Sequence, residues 1–490
     1  MSSSKKTLLK NSFLYVVLGF LPLAANVLLA PVYSRFISPD EFGLVALAAI
    51  FQGFLTVFIC FGLDGGFSRI YFNYHKKEKL VKGLMSTTLL AFIAGGVLFW
   101  VILYFSGDFI FRSLLQNEQF TFSKYGNMVF FTTFSTAVHA IFLSYYRNRE
   151  EVLTYSLVSL SFFFTSVFGI LIGVVYFKAE AIGNVTGRAI GATIVSTILL
   201  LNYFIKHGIK FKIDYLKNSL FYSLPLIPYL LLLMAYNNID KIMIERNFEL
   251  DTLGLYNFAF LLASVISVLI YAIFNAVSPH IYKLLAEVKG QSLSEVKKIN
   301  VLFHLIVLGI ITLAIAVIIP VLKIFISETY QAIQDYVSWL ILVYVFQVYY
   351  VIYTVPLFFH NKTQVLPWIS LVILIVGMIS NIVFIPMFGI YGVCMALFVT
   401  KFTQFLVAYL FVRHYKYHKC DYLSLSKNHV ISTLVVLSYG AFFLINHVRQ
   451  FFAPYLINII PLAVFILAVV FFFGRDILSF RHIFKKPLYE

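Results

Sequence analysis

Apolar runs of eighteen or more residues recur along nearly the whole of this 490-residue chain, and they limit its fold more than any motif does. Each run is long enough to cross about 30 Å of hydrocarbon as a helix. Lipid offers the backbone no hydrogen-bond partners, so a spanning run must satisfy its own N–H and C=O groups, as a helix does. The runs predict fourteen helices. The first six lie at about 12–34, 42–63, 84–106, 125–146, 152–177 and 181–204. The next six lie at about 219–239, 253–274, 301–321, 336–358, 364–386 and 390–412, and the last two at 429–446 and 454–473. With 61% hydrophobic and 12% charged residues, nothing is left over for a soluble catalytic domain.

The formal net charge of +16 would raise nucleic acid as a partner for a soluble protein. In a membrane chain it reads as topology, because cytoplasmic loops accumulate Lys and Arg. With the N-terminus inside, 27 of the 37 Lys and Arg residues fall on the cytoplasmic side and 8 outside, leaving Arg188 and Lys401 within helices. Both termini are therefore expected in the cytoplasm, and no nucleic-acid partner is expected. Lys5, Lys6 and Lys10 precede the first apolar run as in a signal peptide, but that run continues to about Ser34, too long for one, and is read as a retained helix. Cys60, Cys394 and Cys420 are scattered, so no disulfide framework and no metal site are expected. No phosphate-binding Walker loop, zinc spacing or nucleophile elbow is present, and no cofactor is expected.

The segment from Arg35 to Tyr71 is echoed at Arg246 to Tyr282 with a constant offset of 211. Nine of the 37 positions are identical: Arg35, Asp40, Gly43, Leu44, Ala48, Val57, Ile59, Ile70 and Tyr71. An even number of helices separates the copies, so the halves share one orientation and form a parallel repeat, with substrate expected between them. The expected organisation is a lobe of helices 1–6 at 1–204, a basic cytoplasmic linker at 205–218, and a lobe of helices 7–12 at 219–412. A basic cytoplasmic loop at 413–428, two further helices within 429–473 and a cytoplasmic tail at 474–490 complete it.

Three segments carry a resemblance. Asp40-Glu41-Phe42-Gly43 opens the second helix and Arg69-Ile70-Tyr71 closes it. Asn238-Ile239-Asp240-Lys241-Ile242-Met243-Ile244 is followed by Leu253-Gly254-Leu255-Tyr256 and Ala259. Asn361-Lys362-Thr363 is followed by Asn381, Pro386, Gly389, Gly392 and Ala396. In this order the set resembles the polysaccharide transporter family, the Wzx-type oligosaccharide flippases of the MOP (MATE-like) superfamily. The resemblance implies movement of undecaprenyl-diphosphate-linked oligosaccharide from the cytoplasmic to the periplasmic leaflet of the bacterial inner membrane, by alternating access of two six-helix lobes. O-antigen, capsule or exopolysaccharide assembly is the implied pathway. A coupling ion, H⁺ or Na⁺, and a polysaccharide polymerase are the implied further partners.

Such a substrate carries a diphosphate, a polar glycan and a long apolar tail. Arg suits phosphate because its donor fork reaches two oxygens at once. Arg188 and Lys401, on equivalent helices, are the candidate cavity cations, since charge inside a membrane must face water or a partner; snorkelling to the interface is the bland alternative. Arg35 and Arg69 flank the second helix as candidate portal contacts or interfacial anchors. Asp240, near Lys241, Glu245 and Arg246, is a candidate for ion coupling or a structural ion pair, as is Asp64. His139 is a candidate protonation site or a packing residue. Tyr344, Gln347, Tyr350 and Thr354 form one polar stripe and Tyr349 and Tyr353 another, for sugar contact or helix packing. The basic runs His75-Lys76-Lys77-Glu78-Lys79 and Arg413-His414-Tyr415-Lys416 can hold anionic lipid head groups.

Three rivals are weighed. A MATE-like drug or cation exporter favours twelve helices and acidic cavity residues. A lipid II flippase shares the fourteen-helix plan, but carries more arginines in its first helix, where this chain has Asn26 and no cation before Arg35. A glycan polymerase or ligase needs a large outside loop, and the longest here spans only about 107–124.

Overall fold

The computed structural model describes residues 27–287, 290–415, 425–449 and 454–474. The expectations at Lys5, Lys6, Lys10, Asn26, Lys416, Cys420 and the C-terminal tail lie outside those residues. Among the described residues there are helices and turns and no strand. The helices are α1 (Ala30–Phe36), α2 (Pro39–Cys60), α3 (Leu63–Tyr74), α4 (Glu78–Leu114), α5 (Asn127–Asn148), α6 (Val152–Leu171), α7 (Glu180–His207), α8 (Ile213–Ser223) and α9 (Ile227–Asn247). There follow α10 (Leu250–Glu287), α11 (Gly290–Phe325), α12 (Val337–Leu342), α13 (Tyr344–Phe359), α14 (Leu366–Phe388), α15 (Ile390–His414), α16 (Ser426–Arg449) and α17 (Pro454–Phe473).

Eleven spans among the described residues are long and apolar enough to cross a membrane, and each coincides with one of the expected helices. The expected helices at 429–446 and 454–473 coincide with α16 and α17. Most of the expected first helix lies outside the described residues. The chain is an all-α, multi-pass membrane protein.

Three expected helices are broken. The span at 42–63 ends at Cys60, and Phe61 and Gly62, both left-handed (φ 45° and 63°), turn the chain into α3. The Ser223 hydroxyl donates to the Gly62 carbonyl at 2.8 Å and ties α8 to this turn. Asp64 and Arg69 therefore lie on a separate amphipathic helix. The basic linker is helical from Ile213, and Leu224-Pro225-Leu226 breaks α8 from α9 in a 3₁₀ turn. The helix expected at 336–358 is interrupted at Val343.

Contacts divide the chain into two compact units, to Phe258 and from Ala259. In the first, α3, α4, α5, α7 and α8 bury Phe67, Leu84, Met85, Phe92, Val138, Phe142 and Tyr203 in one core. Phe51, Phe111, Phe120 and Tyr125 form a continuous ring stack beside it. Helices α6 and α7 meet through glycine. Gly169 abuts the Gly187 carbonyl, Gly173 abuts that of Gly183, and Gly191 abuts that of Thr165, so the backbones touch along three turns. Such close approach maximises van der Waals packing where lipid removes the hydrophobic drive between helices. In the second unit α14 packs on α15, α13 on α15, and α11 on α17.

The repeat is visible in the first unit. A Cβ on Gly43 would run into the Leu250 carbonyl, and one on Gly254 into the Pro39 carbonyl. Gly43 and Gly254 are 211 apart, and so are Pro39 and Leu250. The starts of α2 and α10 thus cross by a reciprocal contact. Phe42 also meets Phe258 edge-on at 5.6 Å.

Candidate functional site: buried cations and carboxylates

Arg188 lies on α7, half-buried, and lines a cavity of about 20 Å³ with Gln52, Thr132 and Asn184. That space holds about one water. Asn184 is buried with no partner for its Nδ2, and with Gln52 and Thr132 it brings polar groups from α2, α5 and α7 to the cavity that Arg188 lines. Glycines on either side of Arg188, at 187 and 191, hold α7 against α6 and set where this side chain emerges.

Lys401 lies half-buried on α15. Its Nζ donates to Gln347 Oε1 at 3.5 Å, and Gln347 Nε2 donates to Ser267 Oγ at 2.7 Å. Gln347 is 4% exposed, so this relay from α15 through α13 to α10 runs inside the second unit. Tyr344 is buried beside it and Tyr350 is half-buried. The neighbouring tyrosines pack against α11 and α16. The Tyr349 hydroxyl meets Ser432 Oγ at 2.8 Å, Ser432 meets His304 Nε2 at 3.0 Å, and Tyr353 meets His429 at 3.4 Å. That network was missed by the stripe reading, because its partners are scattered along the sequence.

Asp240 and Lys241 sit two turns before the end of α9, since the helix continues to Asn247 rather than ending at 239. Both are buried and pair at 3.5 Å, while the Tyr256 hydroxyl donates to Asp240 Oδ2 at 2.7 Å. A buried pair survives only when its remaining lone pairs find donors, which Tyr256 provides. Arg246 is exposed. Glu245, one turn beyond Lys241, is buried, and its Oε1 accepts the backbone N–H groups of Gln116 and Asn117 at 2.7 and 2.9 Å. Its spacing of four from Lys241 is the sequence signal that marks this face.

Arg35, Arg69 and Asp64 are exposed. His139 is buried and stacks on Phe162 at 4.0 Å, with Nε2 unpartnered. A further cavity of about 290 Å³ at the basic end of the first unit is lined by Lys82, Arg149, Lys206, Glu78 and Glu151 among others. Burial opposes the charge on Arg149, but hydrogen bonds to Glu151 and Tyr145 and the nearby charge of Glu78 outweigh it and hold the guanidinium above its ordinary range.

The profile of the polysaccharide biosynthesis protein family matches residues 8–285, more than half of the chain. The chain belongs to this family. An uncharacterized membrane protein of Haemophilus influenzae is 22% identical over 411 residues, covering 79% of this chain and 94% of that one. Among solved structures, the lipid II flippase MurJ in an inward closed conformation matches with a TM-score of 0.69 and 16% identity, over 96% of this chain and 99% of that one. An inward-facing multidrug resistance MATE family transporter of the MOP superfamily matches with a TM-score of 0.67 and 14% identity, over 82% and 95%. These likenesses show that the chain shares the fold of those two transporters.

Proposed function

We propose that this protein is a flippase that carries undecaprenyl-diphosphate-linked oligosaccharide from the cytoplasmic to the periplasmic leaflet of a bacterial inner membrane. It works as a transporter and not as an enzyme, by alternating access of lobes at 1–204 and 219–412, with both termini in the cytoplasm. The observation that carries this reading is the pair of half-buried cations, Arg188 and Lys401, inside membrane-spanning helices of a polysaccharide biosynthesis family protein. Charge inside a membrane is rare and marks substrate pathways. Two cations set in polar linings suit a diphosphate better than a cationic drug.

In this reading Arg188 and Lys401 hold the diphosphate, and Arg35 and Arg69 guide it at the portals. Tyr344, Gln347 and Tyr350 contact sugar. Asp240 is the leading group for H⁺ or Na⁺ coupling, with Asp64 and His139 as alternatives. The repeat unit serves O-antigen, capsule or exopolysaccharide assembly, and a polysaccharide polymerase takes the product.

The test is complementation of a deletion strain with wild type, Arg188→Ala and Lys401→Ala at matched membrane levels. Surface glycan and lipid-linked glycan in the cytoplasmic leaflet are both quantified. Stranded lipid-linked glycan in the deletion strain and in Lys401→Ala supports the reading. Unchanged surface glycan with raised drug sensitivity identifies a MATE-like exporter instead. Stranded lipid II identifies a lipid II flippase.

A further inference from the structure

The cavity of about 290 Å³ at the basic end of the first unit lies among the start of α4, the end of α5, the start of α6 and the end of α7. Lys206, which lines it, follows Arg188 on α7 by about 27 Å of helix, so this cavity is not the one at Arg188. Three cations, Lys82, Arg149 and Lys206, share its wall with two carboxylates, Glu78 and Glu151. Both carboxylates are engaged: Glu78 pairs with Lys82 at 2.8 Å, and Glu151 accepts from Arg149 Nε. Arg149 Nη1 donates to the Tyr145 hydroxyl at 3.2 Å, which leaves Nη2 over.

Lys206 Nζ, Arg149 Nη2, the Tyr146 hydroxyl and the Asn202 amide have no hydrogen-bond partner among the described residues. None of these four groups is sealed from solvent, so a ligand seated in the cavity can reach them. All four can donate, and with His207 neutral the wall carries one net positive charge. Their complement is a singly charged oxyanion, and a phosphate diester is such a group.

The flank of the cavity is apolar. Ile190, Ile194, Ile198, Leu201 and Ile205 are exposed and follow one another at three- and four-residue spacing, forming one face of α7 about 22 Å long. Asn202 and Lys206 border that stripe, four residues after Ile198 and one after Ile205. On α6 the exposed Leu153 and Leu157 flank Thr154, which lines the cavity. Exposed apolar side chains on a membrane-spanning helix meet lipid chains, and a basic pocket at the end of the span meets head groups. A free anion would use the cavity alone, whereas a lipid phosphate uses cavity and stripe together.

We propose that this cavity binds the phosphodiester of an anionic phospholipid, with Lys206 Nζ and Arg149 Nη2 on the phosphate, Tyr146 and Asn202 donating to its oxygens, and a chain laid along the α7 stripe. In the topology proposed above, the lipid belongs to the cytoplasmic leaflet. The site does not depend on which substrate is carried, so its failure leaves the flippase reading untouched.

Thermal unfolding of the purified, delipidated full chain in dodecyl maltoside tests this. Dioleoyl phosphatidylglycerol, dioleoyl phosphatidylcholine and sodium phosphate are titrated separately, the lipids by mole fraction in the micelle and the phosphate against sodium chloride of equal ionic strength. The expected result is a saturable rise in Tm with phosphatidylglycerol, reached at a several-fold lower mole fraction than with phosphatidylcholine, and no rise with phosphate beyond that with sodium chloride. Lys206→Glu should weaken the apparent affinity for phosphatidylglycerol at least tenfold. Lys217→Glu, the same charge change at an exposed position on α8 outside the cavity, should leave it within twofold. Equal saturation by the two lipids, or an equal loss in Lys206→Glu and Lys217→Glu, overturns the site, and saturation by free phosphate overturns a lipid as its ligand. If Lys206→Glu does not yield monodisperse protein, Asn202→Leu decides: the position is exposed, and unchanged affinity there overturns the proposal.

Discussion

Gly43 and Gly254 each lie against the backbone carbonyl at the other's helix start, Gly43 on Leu250 and Gly254 on Pro39. The contact is self-complementary in the manner of a two-fold interface, although one chain supplies both sides. Backbone oxygens cannot rotate out of the way as a side chain can.

Gly43→Ala and Gly254→Ala should therefore each lower stability by about 1–3 kcal/mol through overpacking. Separating the two helix starts relieves both clashes at once, so the double variant should lose clearly less than the two single losses combined. Thermal unfolding of the four proteins measures this, and strict additivity would show that the two contacts are not one crossing.

The buried pair on α9 makes a second prediction of the same sign. Lys241→Met alone removes the countercharge of buried Asp240, and Asp240→Asn alone removes that of buried Lys241; each should destabilise by about 3–5 kcal/mol. The double variant should recover much of that loss, while Tyr256→Phe, which removes one hydrogen bond to a charged group, should lose about 1.5–3 kcal/mol. Recovery of folded yield on size-exclusion chromatography is the simplest readout.

For the relay on α15, Lys401→Met should abolish transport with normal membrane levels, and Lys401→Arg should restore part of it. Gln347→Leu removes the acceptor between Lys401 and Ser267, so it should impair transport less than loss of the charge itself. Transport assays at matched protein amounts check the order; equal activity in all three variants would mean that Lys401 is an anchor.

Sidedness is checked by labelling. After Cys60, Cys394 and Cys420 are changed to Ser, Lys212→Cys should react only with a reagent inside the cell, and Asn117→Cys only with one outside. The reverse pattern would invert the proposed topology.

Run length made the spans legible, because hydrophobic thickness sets it directly. What faces what was far less legible. A helix between lipid and an apolar protein interior has no amphipathic stripe, so nothing in the composition of α6 and α7 distinguishes their contact face except glycines four residues apart. The breaks at Phe61-Gly62 and Leu224-Pro225-Leu226 hide inside continuous apolar runs, which is why Asp64 was placed at the end of a spanning helix and Asp240 too close to the end of its own. Arg188 and Lys401 stood out because charge is scarce in such a chain. Gln52, Asn184 and Ser267 did not, because uncharged polar residues are common in membrane helices and only their convergence singles them out. The echo at 211 located the Gly43–Gly254 equivalence, but not that the equivalent residues touch.

The glycine seam between α6 and α7 has a mechanical consequence. With no side chains between the rods, neither can slide or roll without driving backbone into backbone, so the two behave as one beam. Arg188 projects about 100° around α7 from Gly187, at the flank of that seam. Its travel during any rearrangement is then the travel of the doubled beam, and a bound anion would be carried by a stiff strut and not by a helix free to bend.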